Sequence, residues 1–178
     1  MPPFTLETTV DRPREQVFDY LADVAHHPEF LDHFLADWHM TREDTWGEGA
    51  GGRFRAEVPF QRFPWGDWTI VQLEAPHRIV LQGRTGKFNR IRTLTVFELR
   101  EAANGGARVD LTVDTEPHFP SDRLLESLGR RAVRRRWRKA LVRLRRILEE
   151  DRDRGARATI AGGPRKPATS SLPAGRHV

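Results

Sequence analysis

The sequence predicts an α+β fold: a curved antiparallel sheet of about six to seven strands wrapped on one long C-terminal helix, with two short helices after the first strand. Two observations carry this. From Ser121 to Asp151, Leu124, Leu125, Leu128, Ala132, Val133, Trp137, Ala140, Leu141, Leu144, Ile147 and Leu148 recur at three- and four-residue steps, one apolar stripe on a continuous helix. A helix of that length spans about 45 Å, enough to cross a small domain, and something broad must bury its stripe. The segments before it are nearly all short apolar alternations separated by turn residues, and such short connections imply antiparallel pairing.

Residues 4–10 alternate at period two and form the first strand. Asp11-Arg12-Pro13 opens a helix, with Pro13 suited to its first turn and Val17, Phe18, Tyr20, Leu21 and Val24 on its buried face. His26-His27-Pro28 breaks it, and a short second helix follows through Phe30 and Phe34. A strand is expected from about Trp38 to Thr45, then a turn at Gly47, Gly49, Gly51 and Gly52. Further strands are expected over 53–60, 67–73, 79–84, 91–100 and 108–115, separated by Pro64-Trp65-Gly66, Ala75-Pro76, Thr85-Gly86 and Asn104-Gly105-Gly106. Pro117 and Pro120 end the sheet, and Ser121 is the expected N-cap of the long helix. After Asp153 the glycines and prolines multiply and large apolar residues thin out. A domain of residues 1–153 is therefore expected to precede a disordered, basic tail of residues 154–178.

With no cysteine, neither a disulfide framework nor a thiolate site or nucleophile is possible. No signal peptide or apolar run of membrane-spanning length is visible, so a soluble cytoplasmic protein is expected. Charge is uneven. Residues 1–120 carry 13 Lys+Arg against 19 Asp+Glu, whereas residues 121–150 carry 11 against 4 and residues 151–178 carry 6 against 2. The basic character thus belongs to one helix and the tail. A solvated helix face, neutralised locally by the acidic body, is the expected reading of Arg131, Arg134, Arg135, Arg138 and Arg145.

Several segments, taken in order, resemble the helix-grip fold of the START-like superfamily, in particular its polyketide cyclase/dehydrase and lipid-transport group. They are Arg12-Pro13-Arg14-Glu15-Gln16-Val17-Phe18, Leu21-Ala22-Asp23 with His27-Pro28, Trp38, Gly49-Ala50-Gly51-Gly52-Arg53-Phe54-Arg55, Trp68 with Ala75-Pro76-His77-Arg78-Ile79, and residues 105–109. The resemblance covers roughly residues 3–150. It implies a pocket between sheet and helix for a small hydrophobic or aromatic molecule, used without a cofactor. Members include aromatase/cyclases, lipid and quinone carriers, and stress or toxin proteins, so the ligand stays open.

Strand alternation then nominates the pocket wall. Val109, Leu111 and Val113 alternate with Asp110, Thr112 and Asp114, which turns the apolar set toward the helix. Across the next hairpin the same phase carries Thr93, Thr95, Phe97 and Leu99 inward, and Phe54, Ala56 and Val58 form another inward set. Trp68 with Ile70, or Val71 with Leu73, faces inward; periodicity leaves both open. The expected ligand-binding residues are Phe54, Val58, Trp68, Thr93, Thr95, Phe97, Trp137 and Leu141. Arg90 and Arg92 near Arg84 make an anion clamp if the strands align them, with Arg84 and Arg92 its expected arms, since guanidinium forks suit carboxylates.

His26, His27, His33 and His39 raise the question of a metal, but adjacent histidines point to different sides of a helix and no His-Glu-x-x-His motif accompanies them, so no metal site is expected. No nucleophile elbow, phosphate loop or dedicated acid–base pair is visible, and catalytic residues stay unassigned. Any catalysis would be of the cyclase or dehydratase kind, achieved by folding and positioning the substrate. The alternative function is docking of the Arg-rich helix on RNA, the ribosome or an anionic membrane, which salt would weaken sharply.

Overall fold

A computed structural model describes residues 2–57, 63–155, 158–160 and 163–164. Seven strands form one antiparallel sheet in the spatial order β1 (Phe4–Val10), β7 (Ala107–Glu116), β6 (Ile91–Glu101), β5 (Arg78–Thr85), β4 (Trp65–Glu74), β3 (Gly51–Ala56), β2 (Leu35–Met40). Helices α1 (Arg14–Ala22) and α2 (His27–Leu31) follow β1, and α3 (Pro120–Glu150) packs against β1 and α2. The α+β arrangement is the one the sequence predicts.

The expected strand at 38–45 lies earlier in the chain. Asp37 takes a positive φ of 53°, and the β2–β3 register shifts between Ala36 and His39. This bulge lets Leu35, Trp38 and Met40 all turn to the core, a set that strict alternation does not select. A second register shift, between Ile70 and Gln72, bends β4. It settles the open choice there: Trp68 and Ile70 are buried, whereas Val71 is exposed.

Helix α3 begins one residue before the expected cap. Pro120 occupies its first turn, where a missing N–H costs nothing, and Phe119 precedes it without a side-chain cap; Ser121 is exposed. The stripe is also phased differently at this end. Leu124, Leu125 and Leu128 are exposed, and the buried positions are Asp122, Gly129, Trp137, Ala140, Leu141, Leu144 and Ile147. The helix N-terminus follows the geometric repeat set by Trp137; Leu124 and Leu128 fall outside that phase, and Leu125 lies at its edge.

Of the arginines, Arg131, Arg134, Arg135 and Arg138 are exposed, while Arg145 and Arg146 pair with Glu149 and Asp153. Arg143 is turned inward. It bonds Asp32 at 2.5 Å and donates to the carbonyls of Glu29 and Asp153 at 3.0 Å, tying α2 to the end of α3. Just past the helix, Arg154 pairs with the buried Glu29, the Gly155 N–H donates to the Glu29 carbonyl at 2.7 Å, and Ala158 is buried. Strand β8 (Thr159–Ile160) then pairs parallel to β2, and β9 (Gly163–Pro164) pairs with β8. The rest of the expected tail lies outside the described residues. Among those described, no helix is long and apolar enough to cross a membrane.

Candidate functional site

Cross-strand register sets the face that α3 covers. Ile79, Phe97 and Leu111 form one rung, Leu81, Thr95 and Val113 the next, and Gly83, Thr93 and Thr115 the one after. Along these rungs the inward face passes from wholly apolar to hydroxyl-bearing. The helix matches that gradient: stepping back from Trp137 toward its N-terminus, its cavity-lining residues are Val133, Gly129, Glu126, Leu125 and Asp122. Over the upper rungs the helix and sheet stand apart around a cavity of about 250 Å³. Gly129 contributes no side chain to this stretch, which leaves space above the threonines.

The apolar end is aromatic. Trp137 sits 5.4 Å from Phe34 and 6.2 Å from Trp68, and Trp68 lies 4.9 Å from Phe54, ring centroid to ring centroid. At the other end Arg90 donates to Asp122 at 2.6 Å, and the Thr115 hydroxyl donates to Glu126 at 2.8 Å. Arg90 also lies over the Phe119 ring at 4.6 Å. Its Nε and the Asp122 Oδ2 are buried with no hydrogen-bond partner among the described residues.

Of the residues nominated from sequence, Phe54, Trp68, Thr93, Thr95 and Trp137 line the cavity. Phe97 and Leu141 are packed in the core and do not reach it: Phe97 belongs to the apolar rung below, and Leu141 is one turn past Trp137. Val58 lies outside the described residues. Arg84 and Arg92 are cross-strand partners, both exposed and one position out of phase with Gly83 and Thr93. Arg84 borders the cavity and Arg92 does not, so the pair forms no clamp inside it. The inner cation is Arg90. Arg90 is one of the three arginines from which the clamp is expected, and Asp122 and Glu126, which join it here, are not among the residues expected from sequence. Stepping back from Trp137 by four, four, three and four residues reaches Val133, Gly129, Glu126 and Asp122, so the helical repeat itself held the signal.

The histidines do not converge. His26 stacks on Tyr20 at 4.4 Å, His33 bonds the Arg136 carbonyl at 3.1 Å, and His39 lies on β2 beside Trp65. His27 is fully buried among Phe30, Trp38 and Trp68. Its Nε2 donates to the Leu21 carbonyl at 2.8 Å, and burial pushes its pKa down to about 4, a shift that this bond opposes. Tyr20 donates to Glu29 at 3.0 Å, and burial together with that carboxylate raises its pKa.

A search of curated proteins gives no match. Solved structures do match. Protein CV1439 from Chromobacterium violaceum is 17% identical with a TM-score of 0.58, covering 85% of this chain and 100% of that one. Protein Ms6760 from Mycobacterium smegmatis is 15% identical with a TM-score of 0.59, covering 83% and 91%. KanY is 13% identical with a TM-score of 0.63, covering 82% and 96%. At such identities these likenesses establish the fold alone. The sequence itself goes further: residues 1–149 match the family model, and the chain belongs to the polyketide cyclase / dehydrase and lipid transport family.

Proposed function

We propose that the protein binds a small hydrophobic or aromatic molecule in the cavity between the sheet and α3. The observation that carries this reading is the aromatic end formed by Phe34, Phe54, Trp68 and Trp137, beside open space that Gly129 leaves unfilled. Family membership supports it. Apolar walls with a few placed polar groups are the usual make-up of a small-molecule site. Burying about 300 Å² of apolar ligand at roughly 25 cal/mol per Å² supplies on the order of 7 kcal/mol before the costs of association.

The role is binding or carriage. The carboxylates at the polar end are engaged by Arg90 and Thr115, an arrangement that suits holding a ligand more than shuttling protons. Native mass spectrometry of gently purified protein tests the reading. A co-purifying small organic mass, displaced by an aromatic competitor, is expected. A bare protein mass that takes up no aromatic compound on titration would refute it.

A further inference from the structure

Among the described residues, the polar end of the cavity carries two unmet hydrogen-bonding atoms on one ion pair. Asp122, its side chain only 8% exposed, accepts from Arg90 through Oδ1 and leaves Oδ2 without a partner. Arg90 donates through Nη2 and leaves Nε without one. Both residues line the cavity, and buried polar atoms are seldom left unpaired without a reason. The unmet pair is one acceptor and one donor. A hydroxyl group donates and accepts at a single atom and so answers both.

The charge balance points the same way. Among the described residues, the cavity is bordered by three cations, Arg84, Lys87 and Arg90, and by three carboxylates, Asp67, Asp122 and Glu126. An anionic ligand would meet the unpaired Asp122 oxygen and be repelled. An ether or ketone would satisfy Arg90 and leave Asp122 unanswered. At the other end, the Trp137–Trp68–Phe34 wall accepts flat apolar surface, so a ligand has one favoured direction.

We propose that the ligand is an apolar, ring-bearing molecule with a neutral hydroxyl at one end, seated with that hydroxyl between Asp122 and Arg90 and its rings toward Trp137. This rests on the cavity being the binding site. A probe series separates the two claims. Isothermal titration calorimetry is run with naphthalene, 2-methoxynaphthalene, 2-naphthol and 2-naphthoate.

The wild type should bind 2-naphthol about tenfold or more tighter than naphthalene or 2-methoxynaphthalene, as expected for a hydrogen bond to a charged group, with 2-naphthoate weakest. In Asp122→Ala the preference for 2-naphthol over naphthalene and 2-methoxynaphthalene should collapse. Asp122→Asn, closer in shape, should also narrow that preference severalfold. Equal wild-type binding of 2-naphthol and 2-methoxynaphthalene overturns the hydroxyl proposal and leaves the cavity reading intact. Absence of saturable binding by every probe overturns both. The wild-type series decides even where a variant fails to fold.

Discussion

Trp137 of α3 and Trp68 of β4 face each other with ring centroids 6.2 Å apart, and they join the helix to the sheet at the apolar end of the cavity. Both indoles are almost fully buried, and Phe34 and Phe54 complete the wall. On the N-terminal side of this contact the helix leucines are exposed, and on its C-terminal side Ala140, Leu141, Leu144 and Ile147 are buried.

Trp137→Ala should therefore destabilise the domain by about 3–5 kcal/mol, the usual cost of emptying a large buried aromatic site. Denaturant unfolding followed by circular dichroism measures it. A loss below about 1 kcal/mol would mean that the helix is held elsewhere.

His27 makes stability depend on pH. Burial holds it neutral, with its pKa lowered from 6.5 to about 4, so the unfolded chain takes up the proton first as pH falls. Its contribution is complete above about pH 6.5 and is lost as pH drops toward about 4, to the extent of about 3 kcal/mol. His27→Gln keeps a donor for the Leu21 carbonyl but does not titrate. Across this window the variant should show a shallower pH dependence than the wild type; parallel curves would remove His27 as the cause.

Arg154 pairs with Glu29, which is buried beside the Tyr20 hydroxyl. Arg154→Ala leaves that carboxylate with one partner fewer. Because the Arg154 side chain is itself 44% exposed, the expected loss is only about 1–2 kcal/mol. A matching loss is expected on truncation after Asp153, read as a lower melting temperature. An unchanged melting temperature in both would show that the residues just past α3 hold nothing in place.

Much of the fold is legible in the sequence because alternation is a local signal. Val109, Leu111 and Val113, opposite Leu99, Phe97 and Thr95, fall inward as their phase requires. What is not local is harder to read. The bulge at Asp37 brings Leu35 inward against simple alternation. Phe97 and Leu141 have the right phase but lie below the cavity, since its depth depends on which rungs the helix crosses and where it stands off. At the start of α3, residue type and helical phase disagree: Leu124 and Leu128 look like core, yet Asp122, Glu126 and Gly129 hold the inward phase. Polar residues in a buried phase mark a site, and here phase was the better guide.

The most direct test of cavity binding is a calorimetric titration of naphthalene into the wild type and into Gly129→Leu. Gly129 is buried, lines the cavity and sits inside a helix, so leucine fills the space and is also the better helix former. Saturable binding at one site in the wild type, lost in a Gly129→Leu protein that still melts cooperatively, is the predicted result. Equal naphthalene affinity in the two folded proteins would place binding outside this cavity and contradict the account.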